Sequence, residues 1–193
     1  MKPSPYFADR FSFFFYRFFS KASLFQWFLK KADAETEAFE YPSSLSGSHR
    51  TIVFLPSNRE FAALIIANLE RFWDPKQTLL VGSVDITNEI LNLKTKFAFL
   101  SFTESDCRYG EPAFTYLEEK IIEFKADICL YLETDFFLPK LYLVKKSGAP
   151  CRIGFFAEPE FPFLNVSLKS ESDDSLSKVK ILIQQYGDPL NAK

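Results

Sequence analysis
From Thr51 onward the chain alternates between two patterns: short runs of consecutive apolar residues, and stretches in which apolar residues return every three or four positions. The first is the pattern of a strand buried on both faces, the second that of a helix with one apolar side. Thr51–Leu55 (TIVFL), stopped by Pro56, predicts a first strand. Ser57 and Glu60 have capping-box spacing, and Phe61, Leu64, Ile65, Leu69 and Phe72 continue as a helical stripe. Gln77–Gly82 and Phe97–Phe102 predict two more strands, with a turn or short helix around Asp85–Asn92 between them. Pro112 opens a second helix, whose Phe114, Leu117, Ile121 and Phe124 lie opposite Glu118, Glu119, Glu123 and Lys125. Asp127–Leu132 predicts a fourth strand, and a helix capped by Thr134 or Asp135 runs from there to Lys146, stopped by Gly148 and Pro150. Arg152–Phe156 is a fifth strand and Phe163–Val166 a short sixth. A last helix opens at Ser172 or Asp173, turns Leu176, Val179, Leu182, Ile183 and Tyr186 inward, and ends at Gly187. Strands alternating with helices build βαβ units. The expected fold is therefore α/β: a single Rossmann-like domain over residues 51–193, with a mainly parallel sheet of five or six strands flanked by helices. Ligands of such sheets bind at the carboxyl ends of the strands, near the point where strand order reverses.

The first fifty residues read differently. Tyr6–Lys31 contains twelve aromatic residues among basic ones. Phe11, Phe14, Phe18, Ala22, Phe25 and Leu29 follow one another at steps of three and four, the spacing of one helix face. Arg10, Arg17, Lys21 and Lys31 fall beside and behind that stripe, while Phe13, Tyr16, Leu24 and Trp27 intrude on the polar side. Residues 1–31 are thus expected to form an amphipathic basic and aromatic helix, with Arg10, Phe11, Phe14, Arg17, Phe18, Lys21, Phe25, Trp27 and Phe28 as its binding residues. Three settings are open to it: packing on its own domain or on a partner protein, lying in a membrane interface where Trp and Tyr are accommodated and Lys and Arg meet anionic headgroups, or serving as a cleaved transit peptide. Residues 32–50, rich in serine and acidic side chains, are expected to be a polar linker. The charges in the N-terminal segment interrupt it too often for a spanning helix or a signal peptide.

Charge sharpens the division. Residues 1–31 carry six basic side chains and one acid, a net of +5, whereas the remainder carries 17 basic and 24 acidic side chains. An acidic body is unsuited to nucleic acid, and a basic end is suited to an anionic partner. Six glycines are too few for a glycine-rich phosphate loop, and Pro56–Glu60 (PSNRE), after the first strand, contains none, so no nucleotide cofactor is expected. Cys107, Cys129 and Cys151 lack metal-ligand spacing and are expected to be reduced thiols; no metal site is expected. His49, the one histidine, lies in a polar loop with nothing beside it to build a nucleophilic triad. The most chemically varied loop is Thr103–Gly110, with Glu104, Asp106, Cys107, Arg108 and Tyr109; the plain reading is a polar surface turn. Carboxylates at Glu133 and Asp135 suit the start of a helix.

The stretch from Ala126 (ADICLYLET), through a helix, to SGAPCRIGFF resembles the acceptor-side, N-terminal domain of ADP-heptose–lipopolysaccharide heptosyltransferases. Ser147, Gly148, Ala149, Arg152, Ile153, Gly154 and Phe155 carry the resemblance. It implies half of a two-domain GT-B glycosyltransferase acting on lipid-linked acceptors at the cytoplasmic face of a membrane, with Arg152 either near an anionic acceptor or structural, buttressing the loop after the fourth strand. The family's first loop has a Gly-Asp pair supplying the catalytic base. This sequence has PSNRE there, with Glu60 an approximate stand-in and Glu104 and Asp106 the other candidate bases. With the base loop altered and no donor domain read in the sequence, the expected function is a non-catalytic heptosyltransferase-like binding or scaffolding module, held at a membrane surface or in a larger assembly by residues 1–31. The alternative is the acceptor-binding half of a split transferase whose partner chain supplies the donor site. The expected location is cytoplasmic, peripheral on the inner face of the membrane.

Overall fold
The structure is a computed structural model of the 193-residue chain and describes residues 49–86, 96–103, 106, 112–133, 137–155, 163–170 and 174–186. The expected N-terminal helix and its linker up to residue 48 lie outside that range.

Within it the elements run β1 (Thr51–Phe54), α1 (Arg59–Phe72), β2 (Thr78–Ser83), β3 (Ala98–Phe102), α2 (Pro112–Phe124), β4 (Ile128–Tyr131), α3 (Leu138–Lys146), β5 (Cys151–Gly154), β6 (Val166–Ser167) and α4 (Ser175–Tyr186). The six strands form one sheet in the order β3-β2-β1-β4-β5-β6, and every neighbouring pair is parallel. This is the expected Rossmann-like α/β arrangement. Strand order reverses between β1 and β4, which pair from Thr51 with Ile128 to Phe54 with Tyr131.

Consecutive strand residues face opposite sides, so each apolar run feeds two cores. Val53, Leu55, Leu80, Ile128, Leu130 and Ile153 meet Phe61, Ala62, Ile65 and Ile66 of α1 and Val179 of α4 on one face. On the other, Ile52, Phe54, Val81, Cys129 and Tyr131 meet Phe114, Leu117 and Ile121 of α2 and Leu141–Val144 of α3. All four residues of β1 and of β4 are buried, which is why these strands read as unbroken apolar runs.

Several boundaries differ from the sequence expectation. The cap of α1 is Asn58, whose Oδ1 accepts from the Phe61 amide at 2.9 Å; the Ser57 hydroxyl is engaged elsewhere. α3 starts at Leu138, with extended Phe137 in the cap position, no side-chain cap and Pro139 in the first turn; Thr134 and Asp135 lie outside the described residues. β6 begins only at Val166, because Asn165 first ties this segment to β5: its Oδ1 accepts from the Arg152 amide and its own amide donates to the Arg152 carbonyl. α4 is capped by Asp174, which accepts from the amide and hydroxyl of Ser177, rather than by Ser172 or Asp173. Leu176, expected inward, falls in the first turn and is 59% exposed; burial begins at Lys178 and Val179.

The segment from Ser147 to Gly154 is held by its own chemistry. Ser147 Oγ donates to the Val144 carbonyl at 2.6 Å and accepts from the Ala149 amide at 3.2 Å. Gly148 turns the chain at φ 69°, in the left-handed region that glycine enters without cost. At Gly154 a Cβ would stand 2.9 Å from the Tyr131 carbonyl oxygen and 2.8 Å from Leu164 Cδ1. The carbonyl belongs to the neighbouring strand and cannot swing away. Gly154→Ala is therefore expected to destabilise the fold by about 1–3 kcal/mol, read as a lower urea midpoint with unchanged m.

Burial pushes the Cys129 and Cys151 thiols up to about 12, against smaller opposing effects of Arg152 and, for Cys129, Ser147. The folded chain keeps these protons where the unfolded chain, with thiols near about 8.5, has released them. Stability is untouched by the thiols below about pH 8.5 and falls above it, by up to about 1.4 kcal/mol per pH unit from Cys129 alone. Denaturation curves at pH 8 and pH 10 should show this loss, and Cys129→Ala should reduce the difference between them.

Candidate functional site
The point where strand order reverses is built by the ends of β1 and β4 and the start of α3. Pro56 ends β1 because it has no amide to offer the sheet. Ser57 follows and is exposed. Across the crevice, Glu133 sits two residues beyond β4 and is 3% exposed, and Lys140, in the first turn of α3, is 1% exposed. These three side chains meet. Lys140 Nζ pairs with Glu133 Oε2, donates to Ser57 Oγ at 3.2 Å and to the Leu55 carbonyl at 3.3 Å, and lies 5.5 Å and 5.6 Å from the ring centres of Phe102 and Phe137. Ser57 donates its hydroxyl to Glu133 Oε2 at 2.7 Å and its amide to both carboxylate oxygens, at 3.0 and 3.2 Å.

The electrostatics follow from burial. Neither charge tolerates removal from water alone, but together, with hydrogen bonds on the remaining lone pairs and protons, they form a satisfied unit. The Glu133 carboxylate is received by an ammonium, a hydroxyl and an amide beside the N-terminus of α1, where partial positive charge collects. The place at which this fold ordinarily receives a ligand's anionic group is thus filled by a carboxylate of the chain itself.

The other sequence candidates are not part of this cluster. Glu60 is exposed in the first turn of α1. Asp106 closes a turn after β3, its Oδ2 accepting from the Thr103 amide at 2.6 Å and its own amide donating to the Thr103 carbonyl at 3.0 Å. Glu104 and the N-terminal residues Arg10, Phe11, Phe14, Arg17, Phe18, Lys21, Phe25, Trp27 and Phe28 lie outside the described residues. Arg152 is buried in β5, its Nε donating to the Phe163 carbonyl and its Nη1 to the Ala149 carbonyl, each at 2.7 Å, and desolvation lowers its pKa. These bonds hold the turn before β5 to the segment that leads into β6. His49 is partly buried, with Nδ1 3.9 Å from Asp127 Oδ2 at the amino end of the sheet.

No motif in the local sequence marks Lys140, and Glu133 stands out only as a carboxylate near a helix start. A signal was present. Lys140 shares a helix face with Leu143 and Val144, both buried, so a charge there required a buried partner.

Fold and site together define a Rossmann-like α/β domain whose switch point is closed by its own ion pair. In comparisons with protein-family models, curated proteins and solved structures, the chain matches none. Among the described residues, no helix is long and apolar enough to cross a membrane, and no group of three or more His, Cys, Asp or Glu side chains is arranged to hold a metal ion.

Removing one partner of a buried pair strands the other. Glu133→Leu or Lys140→Met alone is expected to cost about 3–5 kcal/mol, while the double substitution restores most of the loss. Urea denaturation of the four proteins in this cycle measures it; additive single losses would contradict a coupled pair.

Proposed function
We propose that this protein is a non-catalytic, heptosyltransferase-like binding module held at an anionic membrane surface by its N-terminal segment. The observation that carries the reading is the closed switch point. Glu133, Lys140 and Ser57 spend their hydrogen-bonding capacity on one another, where an enzyme of this architecture would keep groups directed at substrate. The residues of the heptosyltransferase-like segment, Ser147 to Gly154, serve the fold itself: a helix stop, a left-handed turn, a guanidinium tie and a close strand approach. A fold can keep such a segment after the chemistry of its ancestor has gone.

Attachment rests on residues 1–31. Six basic side chains against one acid, with twelve aromatic residues in Tyr6–Lys31, is the composition that lies in a membrane interface, each basic residue contributing about 1 kcal/mol near an anionic surface. The acidic remainder would be repelled by that surface, which suits a tether joined to the domain through a polar stretch.

Co-sedimentation of the full chain with phosphatidylserine-containing and with neutral vesicles tests the reading. Binding to the anionic vesicles is expected at low salt, with release at high salt. Arg10→Gln/Arg17→Gln/Lys21→Gln should weaken it about 100-fold, corresponding to about 3 kcal/mol. Binding to neither vesicle would overturn the membrane reading and leave attachment to a partner protein.

A further inference from the structure
The outer face of α2 is exposed and mixed in character. Tyr116 is 54% and Ile122 46% exposed, two of the four large apolar residues in that condition among the described residues. Between and beside them lie Glu119 and Glu123, both exposed. Glu123 pairs with Lys120 at 2.7 Å, a solvent-exposed pair of little strength, and Glu119 has no ion pair among the described residues. On helical geometry Tyr116, Glu119 and Glu123 form one row, with Ile122 flanking it.

The chain preceding the domain arrives beside this helix. The Arg50 guanidinium carbon stands 4.6 Å from the ring centre of Phe124, the last residue of α2. Arg50 is fixed there: its amide donates to Asp127 Oδ2 and its carbonyl accepts from the Asp127 amide, each at 2.8 Å. The first described residues therefore lie beside the carboxyl end of α2, the end where the helix dipole favours positive charge.

We propose that residues 9–31 dock on the outer face of α2 of the same chain, their aromatic side against Tyr116 and Ile122 and their basic side against Glu119 and Glu123. The linker easily reaches: the 17 residues from 32 to 48 span up to about 60 Å when extended, and the 13 residues of α2 rise about 20 Å. A tether of this length holds the segment at an effective concentration of about a millimolar, far above what a second copy or a free partner would supply. Charge leans the same way: Lys120, 5.9 Å from the Tyr116 ring centre, offsets Glu123, which leaves Glu119 as the one net carboxylate of the row offered to a +5 segment. Docking uses the aromatic and basic residues that an anionic surface would use. The docked form therefore withholds the segment from that surface, and the apparent affinity for it is reduced by the undocked fraction. This consequence rests on the attachment reading; the docking itself does not.

Zero-length carbodiimide coupling of the full chain at low protein concentration, without vesicles, tests the contact. Peptide mapping of the monomer is expected to show amide links from Lys21, Lys30 or Lys31 to Glu119 or Glu123. Tyr116→Ser/Ile122→Ser, at exposed positions outside the core, should reduce those links several-fold and tighten binding to phosphatidylserine-containing vesicles several-fold. Links confined to dimers, links to other acidic residues only, or a pattern unchanged by the double substitution would overturn the docking. Links that form as expected in a chain that binds no vesicle would leave the docking standing and remove the attachment reading; vesicle binding without the links would do the reverse.

Discussion
The contact on which the centre of the domain depends is the buried ion pair of Lys140 and Glu133. It joins the loop after β1 to a remote part of the chain, the end of β4 and the first turn of α3. Burial makes the pair all-or-none. Each charge is tolerable only with the other in place, and the Ser57 hydroxyl and amide complete the carboxylate's partners. Because the loop after β1 is held this way, Ser57 is not free to cap α1, and the cap moves to Asn58. The position of α1 over one face of the sheet and of α3 over the other is thus registered by one polar contact as well as by two apolar cores.

That contact also shapes what the domain offers to other molecules. In an open parallel sheet the switch point is the crevice that collects ligands, since the strand ends and the helix N-termini converge on it. Here the convergence has turned inward, and the exposed member is a serine whose proton and lone pair are already engaged. Chemistry-bearing residues elsewhere are likewise occupied in structure: Asp106 closes a turn, and Arg152 ties the chain ahead of β5 to the segment entering β6. The outer face of α2 is of another kind: aromatic and acidic side chains there face solvent.

Much of the architecture was legible in the sequence for a simple reason. A strand buried on both faces must be apolar throughout, and a helix covering one face must be apolar at every third or fourth position. TIVFL, DICLYL and the Phe114–Phe124 stripe therefore announce β1, β4 and α2. Helix starts were less legible. Serine, aspartate and asparagine cluster near the starts of α1 and α4, and which one caps α1 depends on which is claimed by a contact from elsewhere: Ser57 by Glu133, which leaves Asn58 as the cap. The start of β6 was displaced for the same kind of reason, by the Asn165 bonds to Arg152.

By itself the sequence determined the α/β class, the parallel sheet, and the division of the chain into a basic aromatic beginning and an acidic body, because periodicity and charge are local properties of the residues. Only the tertiary structure decided that Glu133 and Lys140, seven residues apart with a helix start between them, are partners over Ser57. Nor could spacing show that the chain enters its domain against the last turn of α2. Both are consequences of parallel strands bringing together segments some eighty residues apart, and pairing across such a distance leaves no period in the sequence to read.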